Sequence, residues 1–161
     1  MNTNTLEIDH GGAVAIVWLN RPDVHNAFDA ALVTDLTEAF QQLGSTPEVR
    51  VIILAARGKS FSAGAQAQWM QQQGAATPEQ NLADAQRLAD LFHTIATCPK
   101  PTIARVHGGA YGGGVGLIAA CDYALATPAG GFCISEVRLG LIPSVISPYV
   151  LRAIGARNAG R

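Results

Sequence analysis

Thr102-Ile103-Ala104-Arg105-Val106-His107-Gly108-Gly109-Ala110-Tyr111-Gly112-Gly113-Gly114-Val115-Gly116-Leu117-Ile118-Ala119-Ala120-Cys121-Asp122 is the stretch that decides the fold. Thr102–Val106 has the composition of a strand. It runs straight into six glycines within the nine residues 108–116. Glycines at this density cost backbone entropy and give up core-forming side chains, so they belong where the backbone takes unusual angles or another molecule touches it. The apolar residues that follow predict a short buried helix starting near Gly113 or Gly114. The N–H groups of its first turn have no partner within the helix and face whatever lies at the glycines, which makes a pocket for developing negative charge.

Working outward, strands and helices alternate. Ala13–Leu19 reads as a strand paired with Leu6–Asp9 across Gly11-Gly12. Asp29 is the expected N-cap of a helix whose Leu32, Leu36, Ala39, Phe40 and Leu43 share one face up to Gly44. Val49–Ala55 is a continuous apolar run, as in a strand covered on both faces. Gln66–Gln73 is ambiguous. Thr77-Pro78-Glu79-Gln80 combines an N-cap, a proline at the first helical position and a capping-box glutamine. The helix it opens carries Leu82, Ala85, Leu88, Leu91, Phe92 and Ile95 and stops before Pro99. Beyond the glycines, Tyr123–Thr127 and Phe132–Ile134 read as strands and Ile146–Ile154 as a helix. This rhythm is α/β, and 161 residues without a linker or low-complexity tract fit one domain, residues 1–161.

Composition narrows the function. Eleven basic residues balance twelve acidic ones with no basic cluster, which argues against nucleic acid and anionic membrane as partners. Gly, Arg and Asp interrupt every apolar run before it reaches spanning length, and the N-terminus lacks a secretory pattern. Cys98, Cys121 and Cys133 have no metal-ligand spacing and read as buried reduced thiols of a cytoplasmic protein.

Gly114-Val115-Gly116-Leu117-Ile118-Ala119 matches a dinucleotide fingerprint, with Glu136 twenty residues after Gly116. Its context is wrong, because seven residues separate Val106 from Gly114 and the next strand ends without a carboxylate. No nucleophile elbow, phosphate loop or zinc signature is present. The four histidines are scattered and structural by default, with His107 the best placed for a role. What remains is a pair of small-residue passages, Ser62–Ala65 and Gly112–Gly114, and one carboxylate, Glu136. Two backbone donors aimed into one cleft make an oxyanion hole, and a desolvated carboxylate beside it suits proton transfer. A salt bridge to Arg138 or a helix cap is the structural alternative for Glu136.

Several linked motifs resemble the crotonase (enoyl-CoA hydratase/isomerase) superfamily along essentially the whole chain. They are Leu19-Asn20-Arg21-Pro22 with Asn26-Ala27-Phe28, Phe61-Ser62-Ala63-Gly64-Ala65, His107-Gly108 through Gly112-Gly113-Gly114, Cys121-Asp122, and Ser135-Glu136 with Leu139-Gly140. Within that superfamily, Phe132–Pro143 and Val145–Val150 most resemble methylglutaconyl-CoA hydratases of leucine and acyclic-terpene breakdown. The resemblance implies a spiral of ββα units, a homotrimer or dimer of trimers, an acyl-CoA thioester as substrate, and no cofactor or metal besides the CoA that the substrate carries. It implies that the N–H groups of Ala65 and Gly113 hold the thioester oxygen. It further implies that the backbone around Ala63 takes the adenine end of CoA, and that Glu136 exchanges a proton with substrate carbon. The reaction it implies is hydration of a branched 2-enoyl-CoA, of the 3-methylglutaconyl or isohexenylglutaconyl type. A double-bond isomerase or decarboxylase is the alternative, and a non-catalytic acyl-CoA-binding or assembly protein is a third reading.

Three departures accompany it. Gly116 stands where typical hydratases carry a second glutamate. Gln66 replaces the aspartate after the oxyanion alanine, which is expected to alter the pocket wall. The chain also stops at Arg161, short of the helices that complete the family fold, so a C-terminally truncated core is expected.

Overall fold

A computed structural model describes residues 3–160. Strands β1 (Leu6–Gly11), β2 (Val14–Leu19), β3 (Val51–Ala56), β4 (Thr102–Val106) and β6 (Tyr123–Ala126) form one sheet in the order β1-β2-β3-β4-β6, while β5 (Ala110–Tyr111) and β7 (Phe132–Cys133) form a second, parallel pair. β1 and β2 are the expected antiparallel hairpin, but the turn falls at Gly12-Ala13 rather than Gly11-Gly12, with Leu6 opposite Leu19 and Gly11 opposite Val14. Every later pair in the large sheet is parallel, so each crossover carries a helix or turn from one strand end to the next. This is the anticipated α/β arrangement.

Helix α1 (Ala30–Ser45) begins where Asp29 accepts a bond from the Leu32 N–H, a cap that contributes about 1 kcal/mol. Its Leu32, Leu36, Phe40 and Leu43 are buried against the sheet and against α3 (Pro78–Ala96). α3 carries the full capping box of Thr77 and Gln80. Its two halves differ. Leu91, Phe92 and Ile95 enter the core, whereas Leu82 is 70% exposed and Ala85 is also outside it. The apolar period of α3 therefore continues past the core, where Ala85 and Leu88 line a cavity and Leu82 does not.

The ambiguous glutamine-rich segment is a helix, α2 (Ala67–Gly74), anchored by buried Trp69. α4 (Gly113–Ala120) is the predicted short buried helix, and Gly114 and Gly116 lie inside it, which removes the dinucleotide reading. The last helix predicted is α5 (Ser147–Ile154), and a further turn, α6 (Ala156–Ala159), follows it. Two 3-10 turns, Pro22–Val24 and Ser135–Leu139, are too short for an apolar period to announce them. Of the three thiols only Cys121, the C-cap of α4 packed in the core, is buried; Cys98, in the loop after α3, and Cys133, at the end of β7, are half-buried. Among the described residues no helix is long and apolar enough to cross a membrane.

Candidate active site

The site forms where two loops from different strand ends are drawn together. Asn26 organises the first loop. It is fully buried, and its side chain accepts from the Arg21 N–H and donates to the Arg57 and Ser60 carbonyls. His25 and Asn26 both have positive φ, 52° and 54°, a conformation held only because these bonds and the Ser62 hydroxyl, which donates to the Asn26 carbonyl, fix the turn. The Ala63 N–H then donates to the His25 carbonyl, and Phe28 bridges Ala65 through bonds on either side of it. In the sequence Asn26 and Ser62 stand out only as motif members. The one local sign of their structural role is an amide set directly before the apolar pair Ala27-Phe28.

The second loop is the glycine stretch. Ser62 pairs with Ala110 in an isolated parallel bridge, which sets the loops side by side. Contact is tight: a Cβ on Gly64 would stand 2.7 Å from the Tyr111 carbonyl oxygen and 3.6 Å from the Gly113 nitrogen. Gly112 has φ 50° and ψ −120°, a region that L side chains avoid, and the turn it makes aims the start of α4 at the cavity. In this geometry the Ala65 and Gly113 N–H groups donate no hydrogen bond to any described residue, although their neighbours Phe28, Gln66, Gly112 and Val115 all donate one. Two unspent donors at one place, one of them at a helix start with its partial positive charge, are what an oxyanion needs.

Glu136 comes from the 3-10 turn after β7, and the β5–β7 pairing brings it back over the glycines. Its carboxylate lies against Gly112, where a Cβ would meet Oε1 at 2.9 Å and Oε2 at 3.2 Å. Oε2 is buried and has no hydrogen-bond partner. Among the described residues Glu136 forms no ion pair with Arg138 or any other cation, so the structural alternative of a salt bridge does not hold.

A cavity of about 640 Å³ contains Ala63, Ala65, Gly112, Gly113 and Glu136 in its wall. Phe28, Trp69, Leu88, Val145 and Ile146 supply much of its apolar surface. Every predicted site residue therefore meets at one cavity. Gln66 does not line it: that residue turns into α2 and bonds through its backbone N–H to Phe28, so the expected change of pocket wall at this position is not found. His107 is also outside, its Nε2 within 2.8 Å of the Gly58 carbonyl.

Gly116 acquires a definite reason. A Cβ there would stand 2.4 Å from Ile146 Cγ2 and 2.9 Å from Phe92 Cε1. The position that would offer a second carboxylate is filled by hydrocarbon from α3 and from the residue that precedes α5. Among the described residues no group of three or more His, Cys, Asp or Glu could hold a metal ion.

Comparison with known proteins agrees with this arrangement. The family model described as Enoyl-CoA hydratase/isomerase matches residues 9–161. A solved enoyl-CoA hydratase from Shewanella pealeana superposes with a TM-score of 0.95 at 46% identity, covering 98% of this chain and 60% of that one. An enoyl-CoA hydratase of Alternaria alternata, AKT6-1, is 38% identical over 152 residues, 94% of this chain and 49% of its own length. The mitochondrial Delta(3,5)-Delta(2,4)-dienoyl-CoA isomerase of Rattus norvegicus is 37% identical over 137 residues, 80% of this chain and 42% of its own. The chain thus spans about half the length of these curated relatives.

Proposed function

Because the chain belongs to the enoyl-CoA hydratase/isomerase family, we propose that the protein hydrates a 2-enoyl-CoA thioester. The observation that carries this is the meeting, at one largely apolar cavity, of two unspent backbone donors and one buried, unpartnered carboxylate oxygen. The thioester oxygen accepts from the Ala65 and Gly113 N–H groups. That polarises the double bond, so that charge moving off the β-carbon collects on the bound oxygen as an enolate. Water forms its new bond to the β-carbon while Glu136 takes one of its protons, and the same proton is then delivered to the α-carbon. One carboxylate completes the addition, returning to its starting state. CoA is part of the substrate, and its adenine end lies along the backbone at Ala63.

The finer reading is a branched substrate of the 3-methylglutaconyl or isohexenylglutaconyl type, in leucine or terpene catabolism. With hydrocarbon packed at Gly116, the substrate's own carboxylate then helps position the water. A cytoplasmic homotrimer or dimer of trimers belongs to the same proposal and rests on the resemblance. The test is to offer 3-methylglutaconyl-CoA and follow loss of the enoyl-thioester absorbance; conversion to the 3-hydroxy product supports the reading.

The packing at Gly116 also favours a second reading. Shifting a double bond needs only one group to carry a proton between two carbons, so a single carboxylate is enough for an isomerase. Isomerisation of a 3-enoyl-CoA in the absence of hydration would establish that chemistry and sink the first.

A further inference from the structure

Among the described residues, two side-chain atoms are buried without a hydrogen-bond partner: Oε2 of Glu136 and Oδ1 of Asn81. Both residues line the same cavity. The first belongs to the chemistry proposed above. Asn81 has no such assignment, and its side-chain amide makes no hydrogen bond to any described residue. An amide left in this state at a cavity wall costs stability unless something completes it.

Its place in the fold identifies what that is. Asn81 is in the first turn of α3, while Phe92, on the same helix, is the residue packed against Gly116 of α4. Leu88 and Ala85 line the cavity between them. At about 1.5 Å per residue, Asn81 stands roughly 10 Å along the axis beyond Leu88. The wall also changes character in that direction. Gln73, Asp84 and Trp69 are shared with an adjoining polar recess of about 360 Å³, whose other lining residues include Gln72, Gln80 and Arg87. Asp84 is already paired with Arg87, and no lysine or arginine is among the described residues lining the main cavity. The far end of the main cavity therefore offers the Asn81 and Gln73 amides beside an Asp84 carboxylate already matched by Arg87, and among its described lining residues no cation.

We propose that Asn81 is a specificity-determining residue, whose amide hydrogen-bonds an oxygen function carried on the acyl chain several carbons from the thioester. This rests on the reading of the cavity as an acyl-CoA site. An amide both donates and accepts, so it suits a hydroxyl and can also donate to a carboxylate oxygen. A plain hydrocarbon chain would leave the Asn81 Oδ1 buried and unpaired, which is how a site built to meet a polar group rejects the analogue without it.

The test compares matched pairs of acyl-CoA thioesters of equal length, one ending in hydrocarbon and one bearing a terminal hydroxyl or carboxylate. Binding is measured by calorimetry with the saturated, unreactive forms, and turnover separately with the 2-enoyl forms. Asn81→Leu should weaken binding of the oxygenated member by about 10- to 100-fold and leave the hydrocarbon member unchanged or tighter. Asn81→Asp separates the two oxygen functions: it keeps an acceptor for the hydroxyl and repels the carboxylate. Circular dichroism confirms that each variant folds, and Asn81→Ser, a milder truncation, serves if Leu does not. Equal losses for both members of a pair, or no preference in the unsubstituted protein, would overturn the assignment. If the saturated thioesters bind with the expected preference while no 2-enoyl-CoA is turned over, the proposed reaction fails and Asn81 stands. If neither CoA thioester binds at all, both fail together.

Discussion

The two ends of α4 are built from the same kind of sequence and do opposite things. At its start, Gly112 and Gly113 present backbone to a cavity. One turn on, Gly116 is enclosed by Ile146 and Phe92, and at the C-cap Cys121 is 6% exposed. A glycine run looks uniform as sequence, yet Gly113 offers an unspent N–H while the last glycine lets three helical segments close on one another. A missing side chain thus has two distinct uses, access and packing, and only the surroundings tell which one applies.

The largest effect is expected at the open end. Glu136→Gln keeps size and hydrogen-bonding capacity but removes the proton acceptor, so turnover should fall by about 10²- to 10⁴-fold, with acyl-CoA affinity retained. Steady-state kinetics alongside a binding isotherm measures both. Loss of binding in parallel with turnover would mean that Glu136 shapes the cavity rather than moving a proton.

Next comes Gly112→Ala. The new methyl group meets the Glu136 carboxylate, and the residue must hold a φ of 50°. That backbone costs about 1–3 kcal/mol. Displacing the carboxylate should also lower kcat by roughly 10²-fold, the scale on which misplacing a reacting group by about 1 Å acts. Thermal unfolding together with kcat reads both consequences, and a variant as active as the parent would show that Glu136 has room to move.

At the closed end, Gly116→Ala should affect stability and leave the chemistry to follow only indirectly. Its methyl group would overlap Ile146 and Phe92, an overpacking that costs about 1–3 kcal/mol. Combining it with Ile146→Ala should recover part of the loss, since the two changes exchange volume at one contact. Additive losses in denaturant melts would contradict the packing account. If the single variant were fully stable and changed only kcat, Gly116 would belong with the open end after all.

Much of this division is legible in the residues themselves. The strand-glycine-helix order, the caps at Asp29 and Thr77, and the identities of Ala65, Gly113 and Glu136 follow from local chemistry and linked motifs. Those features act through neighbours in sequence or through a pattern that spans the chain. The meaning of Gly116 is not legible there, because Phe92 and Ile146 lie 24 and 30 residues away in opposite directions along the chain. Nor is that of Asn81, whose helix announces itself by apolar period while the polar residue within that period looks like solvent-facing surface. The expected change at Gln66 fails for a related reason: which way a residue faces at a loop-to-helix junction depends on the backbone bond to Phe28, formed across 38 positions.

The smallest effect concerns the far terminus of α4. Burial pushes the Cys121 thiol from an ordinary value near 9 up to about 12, with its hydrogen bond to Thr102 pulling weakly the other way. A folded protein that keeps this proton when the unfolded chain has lost it is destabilised as pH rises. Below pH 9 the group should therefore have no influence on stability. Between about 9 and 12 its contribution should fall away by up to about 1.4 kcal/mol per pH unit. Near pH 8 a thiol-alkylating reagent should modify Cys133 and Cys98, both half-buried, well before Cys121, as peptide mapping of timed samples would reveal. Burial also raises the Cys98 thiol, which slows its reaction at this pH. Rapid modification of Cys121 in the folded protein would mean that the closed end of α4 opens, and the contrast with Gly112 would then be one of degree.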